Sequence, residues 1–62
     1  MTTKFKTEAE FLRAWADAAA ARLRADNVDP NDLDAARECL CECVGGMRLY
    51  RAWERVYHPS AA

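Results

Sequence analysis

The segment Val28-Asp29-Pro30-Asn31-Asp32-Leu33-Asp34-Ala35-Ala36-Arg37-Glu38-Cys39-Leu40-Cys41-Glu42-Cys43-Val44, together with Gly45-Gly46, decides how this chain folds. Asp29 suits a helix N-cap, Pro30 the first helical position and Asp32 the first turn. Val28 before the cap and Leu33 at the fourth position supply a hydrophobic staple. Leu33, Ala36, Leu40, Cys43, Val44 and Met47 then recur at spacings of three and four, the apolar seam of a bundle helix. The pattern predicts a helix over 30–44.

Helical phase decides whether that helix continues past Val44. If it ran on through Gly45-Gly46, Arg48, Arg51 and Arg55 would fall on its apolar side. Leu49, Tyr50, Trp53, Val56 and Tyr57 would point away. Glycine costs about 1 kcal/mol inside a helix, so the pair marks a break where the apolar direction resets. A third helix is expected over 47–57, stopped by His58-Pro59, with 58–62 as a tail. One long bent helix satisfies the same pattern, with one apolar face for the first helix and another for a second copy or a partner. In both arrangements Trp53 and the tyrosines carry more apolar surface than the first helix can cover, which points to self-association or a partner interface.

Upstream, Thr7-Glu8-Ala9-Glu10 is a capping box, and Glu8 and Glu10 suit the positive end of a helix dipole. The box predicts a helix over 8–25, preceded by a basic arm at 1–6. At about 100° per residue, Phe11, Leu12, Trp15, Ala16, Ala18, Ala19, Ala20 and Leu23 share one arc, with Glu10, Arg13, Asp17 and Arg24 opposite. The arc places Trp15 in the core. The Ala18–Ala21 run offers a smooth surface for close approach of another helix, and Asp26-Asn27 tolerates the turn that ends this one.

These signals describe a single all-α domain over 1–62, a three-helix bundle made of a helix hairpin and a third helix after the Gly-Gly break. Thirteen alanines with only two glycines and two prolines agree with it. A chain this short buries only roughly 60% of its unfolded surface, so its stability is marginal. The net charge of −1 argues against a nucleic-acid-binding module. The charge is nevertheless segmental: residues 1–25 carry five basic against three acidic side chains, 26–42 one against six, and 43–62 three against one. No apolar run is long enough for a membrane span and no signal segment is evident, so a reducing, cytoplasmic setting is expected.

Cys39, Cys41 and Cys43, with His58 as a fourth ligand, raise the question of zinc. On a helix Cys41 lies well away from the other two, whereas structural zinc sites converge three or four ligands, commonly from Cys-x2-Cys turns. The cysteines are read as packing residues: Cys43 in the core, Cys39 partly buried and Cys41 near the surface. No metal or cofactor is expected. No base and oxyanion loop accompany a cysteine nucleophile, and Gly45-Gly46 lacks the strand and lysine of a phosphate loop, so no enzyme activity is expected.

Two charged patterns remain. Arg48, Arg51 and Arg55 share one helix face and could contact phosphates, although three arginines release few counterions. Asp34, Glu38 and Glu42 recur every four residues along an exposed edge that has no basic residue, at a cost of a few tenths of a kcal/mol per like-charged pair. That edge is either a solvated face neutralised by the third-helix arginines or a neighbouring copy, or a surface that meets a basic partner.

A very short, Ala-rich, capped helical chain with an acidic edge and spare aromatics resembles the small phage-encoded inhibitors of bacterial defence, the anti-CRISPR proteins among them. Size, composition and charge pattern over the whole chain carry this resemblance. No motif is shared, so no residue role transfers. It implies a stoichiometric, non-enzymatic inhibitor of a nucleic-acid-handling complex, at work in the host bacterial cytoplasm. The expected partner is a protein with a basic surface, contacted by Asp34, Glu38 and Glu42, with Tyr50 or Trp53 as aromatic anchors unless the core buries them. Direct nucleic-acid and membrane contacts are not expected. A homo-oligomeric structural or regulatory module with an aromatic third-helix interface is the competing reading, and a small nucleic-acid-binding regulator a third.

Overall fold

The first helix begins where a side chain can replace a missing backbone partner. Thr7 is extended (φ −139°, ψ 162°), and its Oγ1 accepts from the Glu10 amide at 3.1 Å. In the computed structural model, which describes residues 7–61, α1 then runs Glu8–Ala25, within the bounds expected from the capping box. The arm expected at 1–6 lies outside the described residues. Helix α1 ends in a Schellman turn: Asn27 sits in the left-handed region (φ 57°), its amide donates to the Arg24 carbonyl at 3.2 Å, and the Val28 amide donates to the Leu23 carbonyl at 2.9 Å. Val28 and Leu23 meet in the core, the apolar contact that accompanies this cap.

Helix α2 is shorter than the expected 30–44, running Leu33–Cys41. Its N-cap is Asp32, whose Oδ1 accepts from the Ala35 amide at 3.1 Å, and not Asp29. Asp29 instead accepts from the Asn31 amide at 2.9 Å, and the Asp32 amide donates back to the Asp29 carbonyl at 3.0 Å. Pro30 therefore occupies a β-turn that precedes the helix. Proline with its fixed φ serves a turn as well as a helix start, and two aspartates three residues apart both look like caps.

The C-terminal end also unwinds early. The amides of Glu42, Cys43 and Gly46 donate to the carbonyls of Cys39, Leu40 and Cys43, each three residues back, at 3.4, 2.9 and 3.0 Å. Cys43 and Val44 therefore lie beyond the helix, and Val44, expected on the seam, is 100% exposed. Gly45 turns the chain through the left-handed region (φ 71°), and Gly46 opens α3, which runs Gly46–Tyr57. Gly46 is buried against the end of α2 so closely that a Cβ there would fall 1.9 Å from the Leu40 carbonyl oxygen. The glycine pair thus breaks the helix, and the single bent helix does not form.

Helices α1 and α3 share the largest interface, with α2 packed across both. Ala16 and Ala19, both fully buried, let α3 approach α1 closely, and Trp53 of α3, 2% exposed, fills the centre with Leu23, Ala36 and Leu40. The buried arc of α1 is narrower than its sequence pattern: Phe11 and Ala18 are exposed, and Trp15 is half-buried instead of in the core. Nine residues of α2 are too few to cover the N-terminal half of α1, which faces α3 alone. Met47, expected on the α2 seam, is 47% exposed for the same reason.

Two ties close the bundle. His58, expected in a tail, caps α3: its ring lies 4.8 Å from that of Trp53, and its Nε2 is 2.8 Å from the Pro30 carbonyl oxygen. A carbonyl only accepts, so Nε2 carries the proton. On the surface, the Tyr57 hydroxyl donates to Asp17 Oδ1 at 2.6 Å, and Arg13 pairs with the same carboxylate at 3.2 Å.

The glycines make separable predictions. Gly45→Ala meets only the Trp15 ring at an ordinary 3.6 Å and should cost about 1 kcal/mol for its positive φ. Gly46→Ala collides with backbone and should cost about 3 kcal/mol or prevent folding. Equal denaturation midpoints for the two variants would refute the close approach.

The Tyr57–Asp17 tie predicts a pH dependence. The hydrogen bond to Asp17 raises the Tyr57 pKa, so its contribution is complete below about pH 10 and is lost as pH rises through the folded value. That bond, reinforced by Arg13 and opposed by partial burial, lowers the Asp17 pKa. The carboxylate's contribution is therefore present above the ordinary aspartate value and is lost as pH falls through the folded one. Tyr57→Phe should lower Tm at neutral pH and flatten both flanks of its pH profile, measured by thermal circular dichroism.

Candidate functional site

The acidic edge is built by α2 and its cap. Asp34 lies two residues after the N-cap, Glu38 one turn on, and Glu42 is the C-cap residue with right-handed helical dihedrals (φ −78°, ψ −11°), so it continues the edge beyond the helix. All three are exposed, and among the described residues none takes part in an ion pair. Two features make the arrangement unfavourable for folding. Like charges repel at spacings of four, and Glu38 and Glu42 lie at the negative end of a helix whose last turn carries no basic residue. Neutralisation by the α3 arginines is not what happens, because those side chains line a different face of the bundle.

Tyr50 lies at the Asp34 end of this edge. It is half-buried with its ring 5.9 Å from that of Trp53, and its hydroxyl donates to Glu54 Oε2 at 3.3 Å. Burial first, and then the carboxylates of Glu54 and Asp34, push the phenol pKa up, while Arg37 opposes them. Trp53, the other aromatic singled out by the sequence, is in the core and presents no surface to a partner. The structure therefore places Tyr50 near Asp34 alone among the three edge carboxylates and buries Trp53 in the core.

A second surface is not evident from the sequence. Between α1 and α3 lies an open groove of about 570 Å³, its floor made by Leu12, Trp15 and Met47 and its rim by Arg48, Arg51 and Arg55. The Arg48 guanidinium lies over the Trp15 ring at 5.5 Å, and none of the three arginines pairs with a carboxylate among the described residues. Arginine, tryptophan and methionine are the residue types enriched at protein interfaces. The arginine spacing is visible in the sequence. The apolar floor is not, because it depends on which face of α3 turns towards α1.

The cysteines are free thiols with distinct surroundings. Cys39 is half-buried and donates to Asp26 Oδ2 at 3.1 Å, which also pairs with Arg22 at 3.1 Å, linking the end of α1 to α2. Burial, and then Asp26, raise the Cys39 pKa, so its thiol is a poor nucleophile. Cys43 is half-buried near the Cys39 carbonyl, and exposed Cys41 lies 3.5 Å from the Met47 sulfur. Among the described residues, no three metal-ligating side chains converge, and no helix is long and apolar enough to cross a membrane.

No protein-family model, curated protein or solved structure matches the chain.

If the carboxylates of α2 work against the fold, their removal should strengthen it. Glu38→Arg combined with Glu42→Arg makes both side chains favourable at the negative helix C-terminus and turns the Asp34–Glu38 repulsion into an attraction, while the pair at 38 and 42 stays like-charged. The double variant should raise stability by about 1 kcal/mol in urea denaturation. A loss of stability would mean that the edge serves folding after all.

Proposed function

We propose that this protein acts by binding and not by catalysis, as a stoichiometric inhibitor of the anti-CRISPR type. In this reading Asp34, Glu38 and Glu42 occupy a basic, nucleic-acid-binding surface of a bacterial defence complex in the cytoplasm. One observation carries it: three carboxylates stand exposed along one edge without a basic partner, although three unpaired arginines are available elsewhere on the same small domain. Their spacing of four residues spans about 12 Å of helix, a row of negative charge able to stand in for backbone phosphates. Complementary charge of this kind speeds encounter and sets the register of the complex. Tyr50 adds an aromatic contact beside Asp34, while Trp53 acts from the core by holding α3 in place.

The test uses purified RNA-guided defence complexes and measures their binding to target DNA with the protein added. Wild-type protein should reduce that binding in a salt-dependent way. Glu38→Arg combined with Glu42→Arg should weaken the inhibition by about 100-fold or more while circular dichroism shows the fold retained. Inhibition unchanged in the double variant would remove the acidic edge from the mechanism. No inhibition of any complex by the wild type would remove the function.

A further inference from the structure

The groove between α1 and α3 and the acidic edge of α2 are complementary in sign, length and direction. Arg48 to Arg55 spans about 10 Å along α3, and Asp34 to Glu42 about 12 Å along α2. Laid antiparallel, the two rows bring Glu42 to Arg48, Glu38 to Arg51 and Asp34 to Arg55. The same orientation sets the negative end of α2 against the positive end of α3. Within one molecule the rows do not meet, since neither contributes an ion pair among the described residues.

We propose that the groove receives the α2 edge of a second copy of this chain, in a two-fold dimer in which each copy gives its edge and receives the other's. Packing groove directly on groove would oppose three arginines to three arginines, so the occupant must bring negative charge, which in a second copy only the carboxylate edge of α2 supplies as a row. Val44 supports this choice. It is fully exposed, lies two residues beyond Glu42, and adjoins Gly45 at the mouth of the groove. An edge docked in this register delivers Val44 to the partner's apolar floor beside Met47, itself half-exposed. The net charge of −1 offers little repulsion between copies. The dimer uses the same edge as the proposed inhibitory contact, so dimerisation and target binding compete.

The experiment is sedimentation equilibrium at micromolar concentration and low salt, with circular dichroism to verify folding. Wild type should dimerise, and more weakly as salt is raised. Arg51→Glu combined with Arg55→Glu, and separately Glu38→Arg combined with Glu42→Arg, should each weaken dimerisation about tenfold or more. An equimolar mixture of the two variants should associate more strongly than either variant alone, because the reversed edge of one then meets the reversed groove of the other. A wild type that stays monomeric, or a dimer indifferent to the arginine reversal, overturns the proposal. So does a mixture of two folded variants that fails to associate. A monomeric wild type that binds a single-stranded RNA oligonucleotide, with binding lost on arginine reversal, also overturns it and assigns the groove to phosphates. The arginine variant retains an intact acidic edge, so its inhibition of a defence complex is read separately and the two readings fail independently.

Discussion

The contact between Gly46 and the Leu40 carbonyl is the constraint on which the molecule turns. It stops α2 after nine residues, fixes where α3 starts, and sets the direction in which α3 departs. With that direction set, Trp53 falls on the alanine face of α1, and the arginines of α3 fall on the other side of its axis. A longer α2 would have covered Trp15 and Met47. The early stop therefore creates both the buried centre and the uncovered groove.

Small residues do much of the packing. Ala16, Ala19, Ala36 and Ala52 are all buried, and they let three short helices approach one large indole. Each alanine loses little side-chain entropy on burial, which suits a chain too small to bury many large residues. Further cohesion comes from ties between distant parts of the sequence, through His58 to Pro30, Tyr57 to Asp17 and Cys39 to Asp26.

Helix α1 is legible in the sequence because two independent signals agree: the capping box at Thr7 and the apolar arc behind it. The turn at Asn27 is equally legible, since asparagine tolerates a positive φ. Around Asp29-Pro30-Asn31-Asp32 the same residue types serve a turn and a helix start, and only the hydrogen bonds decide between them. Val44 departs from the expected seam because an apolar spacing says nothing about where the helix beneath it ends. The acidic edge is readable from spacing alone, as exposed charge usually is. The groove is not, because its floor comes mainly from α1 and its rim from α3.

The segmental charge has a consequence that the net value of −1 conceals. In physiological salt the field of a charge decays over about 8 Å, whereas the molecule is 16 Å across at its narrowest and 34 Å at its longest. An approaching macromolecule therefore never senses the whole protein. It senses an anion when it nears α2 and a cation when it nears the α1–α3 groove. The domain behaves as two small ions of opposite sign on one rigid carrier, and its orientation at first touch is chosen by the partner's own charge.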